Sequence, residues 1–245
     1  MKYSGFTDIH CHVVPFVDDG ADAMETSQAM IGMAYKSGTR RIIATPHYGT
    51  ARAKASTGRI VRRFKMLEDW VESAYPDMEI YLGQELSYHS GIEEEIKRGR
   101  ALTMADSQYA LIEFRPGDQY SRIRQGLESI RMSGYRPILA HAERCEVLAG
   151  NIDYIEELVH MGIYVQVNAS SITGKNGRFI KGTVKKMLKR NLVHLVGSDG
   201  HDLQKRKPVL IDAVKDVKRH YSWDYAERIF ISNPECIIYN QYIER

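Results

Sequence analysis

One pattern repeats along this chain and restricts its fold more than any other feature. A stretch with helical apolar spacing ends in Gly or Asn, a short apolar run follows, and a residue able to do chemistry closes the unit. Met24 to Ser37 leads through Gly38 to Arg41-Ile42-Ile43-Ala44 and His47. Ile123 to Ser133 leads through Gly134 to Pro137-Ile138-Leu139-Ala140 and His141. Ile152 to Met161 leads through Gly162 to Tyr164-Val165-Gln166-Val167 and Asn168. Phe179 to Arg190 leads through Asn191 to His194-Leu195-Val196-Gly197 and Asp199. Within the helical stretches apolar residues fall three and four apart, as in Ile123, Leu127, Ile130 and in Ile152, Ile155, Leu158, Val159. The terminal Gly or Asn supplies a left-handed cap. The short runs, rich in Ile, Val and Leu, suit strands covered on both faces.

Glu79-Ile80-Tyr81-Leu82 before Glu85 and Tyr109-Ala110-Leu111-Ile112 before Glu113 fit the same scheme. With Phe6 to Ile9 before His10 and His12, seven strands alternate with helices. Alternation of this kind predicts a parallel sheet. In a chain of 245 residues it most naturally closes into a barrel, so the expected fold is α/β, a distorted (β/α)7 TIM-like barrel. No Pro/Gly/Ser-rich linker divides the sequence, and residues 1–245 are read as a single domain. Tyr48 to Gly58 lacks periodicity and reads as a loop near the strand ends.

Composition narrows the function classes. The chain is 43% hydrophobic and 27% charged, ordinary for a globular protein, and a net charge of +3 is too small to argue for nucleic acid. Basic clusters at Arg59 to Lys65, Lys181 to Arg190 and Lys205 to Lys207 read as solvated helix faces. No apolar run reaches the ~18 residues of a membrane span, and Met1 to Phe6 lacks the apolar core of a signal peptide. Three cysteines, Cys11, Cys145 and Cys236, cannot all pair, which points to a reducing, cytoplasmic location.

Just past the strands stand His10, His12, His47, Glu85, Glu113, His141, Asp199 and His201, with Asp18-Asp19 in the loop after the first strand. Parallel barrels build their sites at the carboxyl ends of the strands. Imidazole and carboxylate converging there suit divalent ions such as Mn, Fe, Co or Zn, and the absence of a thiolate cluster argues against a structural zinc site. So many donors exceed one ion and suit two or three, an arrangement that makes a nucleophile of water and neutralises phosphoryl charge. Arg144, three residues after His141, and Arg206, five after His201, could hold a phosphate in bidentate fashion. Thiol-based phosphate chemistry needs an arginine six residues after its cysteine. Val17, Asn151 and Tyr242 stand there instead.

Asp8-Ile9-His10-Cys11-His12, Asp18-Asp19-Gly20, Ala44-Thr45-Pro46-His47, Gly83-Gln84-Glu85, Leu111-Ile112-Glu113-Phe114, His141-Ala142-Glu143-Arg144 and Ser198-Asp199-Gly200-His201 together resemble the polymerase and histidinol phosphatase (PHP) superfamily. Within it they look most like the manganese-dependent protein tyrosine phosphatases of Gram-positive bacteria. The resemblance runs in order along almost the whole chain. It implies hydrolysis of phosphotyrosine on the tail of a bacterial tyrosine kinase that controls capsule or exopolysaccharide synthesis. It also implies a three-ion centre, Mn2+ in the first place with Fe, Co, Zn or Mg as other candidates. His10, His12, Glu85 and Asp199 would hold one ion, Glu85 bridging to a second completed by Glu113 and His141; Asp19, His47 and His201 would hold the third. Arg144 and Arg206 would grip the phosphate. His201 would donate a proton only if it bound no metal. Ala142 stands where a proline is common. No nucleic acid or membrane insertion is implied, and a homo-oligomer is compatible. Two other readings stay open: a histidinol-phosphate or other small-molecule phosphoesterase, and a non-catalytic phosphotyrosine-binding module.

Overall fold

The apolar runs do form strands, and every strand pair is parallel. A computed structural model describes residues 5–244; the expectation for Met1–Ser4 lies outside them. The strands are β1 (Phe6–Cys11), β2 (Thr39–Ala44), β3 (His47–Tyr48), β4 (Glu79–Leu82), β5 (Glu85–Ser87), β6 (Tyr109–Glu113), β7 (Arg136–Leu139), β8 (Tyr164–Asn168) and β9 (Leu195–Gly197). They form two sheets, β1-β2-β4 and β3-β5-β6-β7-β8-β9.

Nine segments amount to seven staves, because two staves are broken, β2/β3 at Thr45-Pro46 and β4/β5 at Gly83-Gln84. Proline has no N–H for the ladder, so the first break is written into the backbone. Hydrogen bonds bridge the gap between these staves: Gly83 N–H donates to Ala44 O at 2.8 Å and Glu85 N–H to Pro46 O at 3.2 Å. The break changes one expectation. Glu85 does not follow its strand in a loop but starts β5, paired with His47 on one side and Leu111 on the other. The sheet curls round until the far edges meet beyond β9. There Asp199 N–H donates to His10 O and His12 N–H to Gly200 O, both at 2.8 Å, and Cys11 pairs with Gly200. The result is a distorted seven-staved barrel.

Strand alternation sorts the core. On β6, Tyr109 and Leu111 join Ile9, Ile43, Ile138, Tyr164 and Leu195 in an inner cluster, with Ile237 and Ile243 against it. Ala110 and Ile112 face outward, with Leu139, Val165 and Val196, against the helices. Each such buried side chain is worth about 1.5–3 kcal/mol relative to exposure. The helices are α1 (Met24–Lys36), α2 (Thr57–Ala74), α3 (Ile92–Lys97), α4 (Tyr120–Met132), α5 (Glu146–Gly150), α6 (Ile152–His160), α7 (Ala169–Thr173) and α8 (Arg178–Lys189). They bury one stripe each, such as Ile60, Phe64, Leu67 and Val71 on α2, or Ile123, Leu127 and Ile130 on α4. The expected left-handed caps are present at Gly38, Gly134, Gly162 and Asn191.

After β9 come helices that the βα pattern did not announce: α9 (Ile211–His220), α10 (Trp223–Glu227) and α11 (Asn233–Ile238). Asn233 Nδ2 ties the last of them to His194 O at 2.8 Å. The basic clusters at Arg59 to Lys65 and Lys181 to Arg190 do lie on helices, α2 and α8. Lys205 to Lys207 does not. It sits in the loop after β9 and lines a cleft beside the strand ends, because Asp202 gathers that loop into a turn. No helix among the described residues is long and apolar enough to cross a membrane.

Candidate metal centre

β1 brings His10 and His12 to the barrel rim with their Nε2 atoms 3.2 Å apart. The other ring nitrogen of each is engaged. Asp18 Oδ2 accepts from His12 Nδ1 at 2.8 Å, and Gln166 Oε1 accepts from His10 Nδ1 at 3.2 Å. Both acceptors hold a proton on Nδ1, so Nε2 is the atom that each ring turns to the rim. Two ring nitrogens at that distance share either a proton or a cation.

Glu85 is the hub. Its carboxylate lies 2.7 Å from His141 Nε2, 2.9 Å from His47 Nδ1 and 3.4 Å from Nε2 of both His10 and His12. Burial opposes its charge, but the surrounding imidazoles hold the carboxyl well below the usual carboxylate range. Asp199 Oδ1 lies 3.6 Å from the same two Nε2 atoms. On the far side, Asp19 Oδ1 lies 3.3 Å from His47 Nε2 and 3.5 Å from His201 Nε2. Glu113 Oε1 is 3.7 Å from His141 Nε2, and its other oxygen accepts from Arg52.

All nine residues named as ligands from the sequence thus converge on one rim. Three sets bring their donor atoms within 4.8 Å of one another: His12, Asp19, His47 and His201; His10, His12 and Glu85; and His47, Glu85 and Glu113. Each could hold an ion. The orphaned atoms fit the same reading. Glu85 Oε2, both ring nitrogens of His47 and Nε2 of His201 are buried, and their close contacts with one another and with Asp19 lack the geometry of hydrogen bonds. Unpaired buried polar atoms are costly, and a shared cation would satisfy them.

Charge at the rim is biased toward cations. Burial disfavours charging His12, yet Asp18 and Glu85 raise it to about 10. Asp18 is held at about 2, burial being outweighed by His12 and by the N–H groups of Gly20 and His47. His201 goes the other way, lowered to about 4 by burial and by the neighbouring His12. Its Nδ1 donates to Asp199 O at 3.0 Å, so its Nε2 carries a lone pair near neutral pH and is a ligand rather than an acid.

The supporting layer is what the sequence reading did not assign. Gln166 Oε1 accepts from both His10 Nδ1 and His141 N–H, and its Nε2 donates to Asn168 Oδ1 at 2.9 Å. Asn168 Nδ2 then donates to Asp199 Oδ2 at 2.9 Å. A signal was available: two amides at alternate positions of an apolar strand share one face. Buried Asp8 accepts from Ser198 N–H at 2.9 Å, and burial lifts it to about 6. Arg52 had no such signal, being a loop residue. Arg144 and Arg206 both reach Asp199, at 2.8 and 2.6 Å. Cys11, expected to be buried and not a ligand, is fully buried, with Sγ 3.7 Å from Gly200 O.

The backbone is strained here. His141 and Asp199 have φ of 31° and 54°, a region that L-residues occupy at a cost of about 1–3 kcal/mol. Gly197 has no room for a side chain, since a Cβ would stand 2.5 Å from His10 Cβ. Gly197→Ala is expected to displace His10, lowering metal affinity at least tenfold and stability by about 1–3 kcal/mol. Calorimetric metal titration and thermal melting would show it.

A seven-staved parallel barrel with histidines and carboxylates at its strand ends defines the class by fold: the PHP-like, TIM-like barrels. Within that class the chain belongs to the CpsB/CapC family of capsular polysaccharide synthesis proteins, whose pattern matches residues 6–239. It is 34% identical over 241 residues to the tyrosine-protein phosphatase CpsB of Streptococcus pneumoniae, covering 96% of this chain and 99% of that one. It is 29% identical to the tyrosine-protein phosphatase YwqE of Bacillus subtilis, over 97% of this chain and 93% of that one. Among solved structures it is similar to a chain from the crystal structures of the metal-dependent tyrosine phosphatases YwqE of B. subtilis and CpsB of S. pneumoniae, with a TM-score of 0.91 at 28% identity, covering 98% of this chain and 96% of that one. The phosphotriesterase homology protein of Escherichia coli shares the fold alone, at a TM-score of 0.60 and 11% identity over 97% and 100%.

Proposed function

We propose that this protein is a metal-dependent protein tyrosine phosphatase acting on the phosphotyrosine tail of a bacterial tyrosine kinase in capsule or exopolysaccharide synthesis. The observation that carries this is the convergence of imidazole and carboxylate from the staves onto one rim, where Arg144 and Arg206 also arrive. The relatives' names supply the substrate class.

In this reading His10, His12, Glu85 and Asp199 would hold one ion, Glu85, Glu113 and His141 a second, and Asp19, His47 and His201 a third; the mixed donor set suits Mn, Fe, Co or Zn, and the family resemblance puts Mn2+ first. Bound ions there lower the pKa of water toward neutrality and neutralise phosphoryl charge. The chain's own groups do the rest. Gln166 and Asp18 fix the tautomers of His10 and His12 so that Nε2 is the ligand atom. Arg144 and Arg206 are two charged donors at one edge of the rim; they turn from Asp199 to the phosphoryl oxygens and orient the group for in-line attack. The leaving phenolate has a reference pKa near 10, so little is required of a general acid. That agrees with a His201 that is neutral near pH 7.

The test is phosphate release from a phosphotyrosine peptide and from histidinol phosphate, side by side, before and after chelation. The peptide is expected to be the better substrate, activity to vanish with the metal, and Mn2+ to restore it. Full activity after verified metal removal would sink the proposal.

A further inference from the structure

We propose that the cleft beside the metal rim is a second anion subsite, one that reads an acidic group next to the phosphotyrosine, with Lys175, Lys205 and Lys207 as its specificity-determining residues. This rests on the phosphatase reading above and names which phosphotyrosine sequences it prefers.

The cleft holds about 290 Å³ and shares Arg144, Arg206 and Asp199 with the rim. One wall comes from α7 and the turn after it, including Lys175; the other comes from the loop after β9, with Lys205 and Lys207. Two carboxylates line it, Asp199 and Asp212. Asp199 is already engaged by Arg144, Arg206 and Asn168. Among the described residues, Lys175, Lys205 and Lys207 have no carboxylate within ion-pair distance. Five cationic residues therefore face a cleft with one uncommitted acid, in a protein whose net charge is only +3. The rim itself accounts for two of the five. The three lysines serve nothing in the metal centre.

Both walls are pre-formed. Asp202 Oδ1 accepts from the N–H groups of Gln204 and Lys205 at 2.6 Å and of Arg206 at 3.3 Å. His201 N–H donates to Arg206 O at 2.8 Å, which fastens the same loop to the rim. Pro208 packs so closely on Gly200 that a Cβ there would lie 2.8 Å from the proline ring. Opposite, Gly174 turns the chain at φ 87°, Lys175 N–H donates to Ser170 O at 2.9 Å, and Asn176 Nδ2 bonds the hydroxyls of Ser170 and Ser171, each at 2.9 Å. Charges carried on ordered loops lose less entropy when a ligand arrives.

The dimensions select the ligand. A cleft of this size takes one or two side chains, not a folded element. With the phosphoryl group at Arg144 and Arg206, neighbouring residues of an extended peptide, about 3.3–3.6 Å apart along the chain, pass over the cleft. A carboxylate or a second phosphoryl group one or two residues away supplies the complementary charge.

The experiment measures kcat/KM of the metal-loaded protein on matched phosphotyrosine peptides flanked by Glu, by Lys, or by a second phosphotyrosine, with a small aryl phosphate as reference. The acidic flanks are expected to exceed the Lys flank about tenfold, and the gap to narrow at high salt, as screening requires. In the triple variant Lys175→Ser, Lys205→Ser, Lys207→Ser the preference should fall below about threefold while turnover of the aryl phosphate stays within twofold of the parent. The Glu and phosphotyrosine arms tell which anion is favoured. No preference in the parent protein, or one that survives the triple substitution, overturns the inference and leaves the phosphatase reading intact. Absence of hydrolysis on every substrate, the aryl phosphate included, overturns that reading instead. Should the variant melt early, the salt dependence of the parent's preference decides, since a charge-based subsite must weaken with salt.

Discussion

Replacing Glu85 with glutamine is expected to lower phosphatase turnover by about 10³-fold or more and to cost the protein bound metal. The amide keeps the shape but removes the one negative charge that His10, His12, His47 and His141 all approach within 3.4 Å. Ions held through this carboxylate, as proposed, would lose a common ligand, and with them the means to activate water. Because Glu85 is buried, the metal-free variant has a second signature. Its folded-state carboxyl is depressed, so the wild-type residue stabilises the fold above its unfolded pKa near 4.3, and that contribution fades as pH falls below it. Glu85→Gln removes that stabilisation and should flatten the acid limb of a chelator-treated stability curve. Metal analysis, turnover and denaturation at several pH values check the three parts. A variant that retains both metal and rate would remove Glu85 from the centre.

The double variant Arg144→Ala, Arg206→Ala should lose about 10²–10³-fold in kcat/KM and yet keep its metal. A hydrogen bond to a charged group is worth about 1.5–3 kcal/mol, and in the proposed function the two arginines would act on one phosphoryl group, so their losses will not simply add. They are 42% and 34% exposed, against 3% for the Asp199 they share, so removing them should leave the melting temperature within a few degrees. Metal content should be unchanged or higher, because Asp199 is then free of both guanidinium groups. Taken together, the two variants separate loss of the ions from loss of the phosphate grip.

Much of this arrangement is visible in one dimension for a physical reason. A βα unit repeats its chemistry at a fixed place, the carboxyl end of the strand, so periodicity alone sends His10, His12, His47, Glu113, His141 and Asp199 to one rim. The left-handed caps at Gly38, Gly134, Gly162 and Asn191 are equally local, since they follow from backbone sterics. Other features have causes that are not local. Glu85 opens β5 because Pro46 interrupts the neighbouring stave and the ladder must restart. Lys205 to Lys207 looked like a helix face, yet Asp202 wraps that segment into a turn beside the cleft. The helices after β9 carry no βα signature; α11 and the segment after it close the barrel's base by packing Ile237 and Ile243 against the inner cluster.

The sequence by itself determined the parallel barrel, the cap positions and the convergence of the candidate imidazole and carboxylate residues on one rim, because strand alternation and helix spacing are short-range constraints that each segment obeys alone. Only the tertiary structure decided which nitrogen each histidine offers, which carboxylate is the hub, and which cations are left facing the cleft. Those depend on partners far away in the chain: Gln166 lies 156 residues from His10, and Arg144 lies 55 from Asp199. Hydrogen-bond direction and charge pairing are set by distances of about 3 Å, and such distances exist only once the barrel has closed.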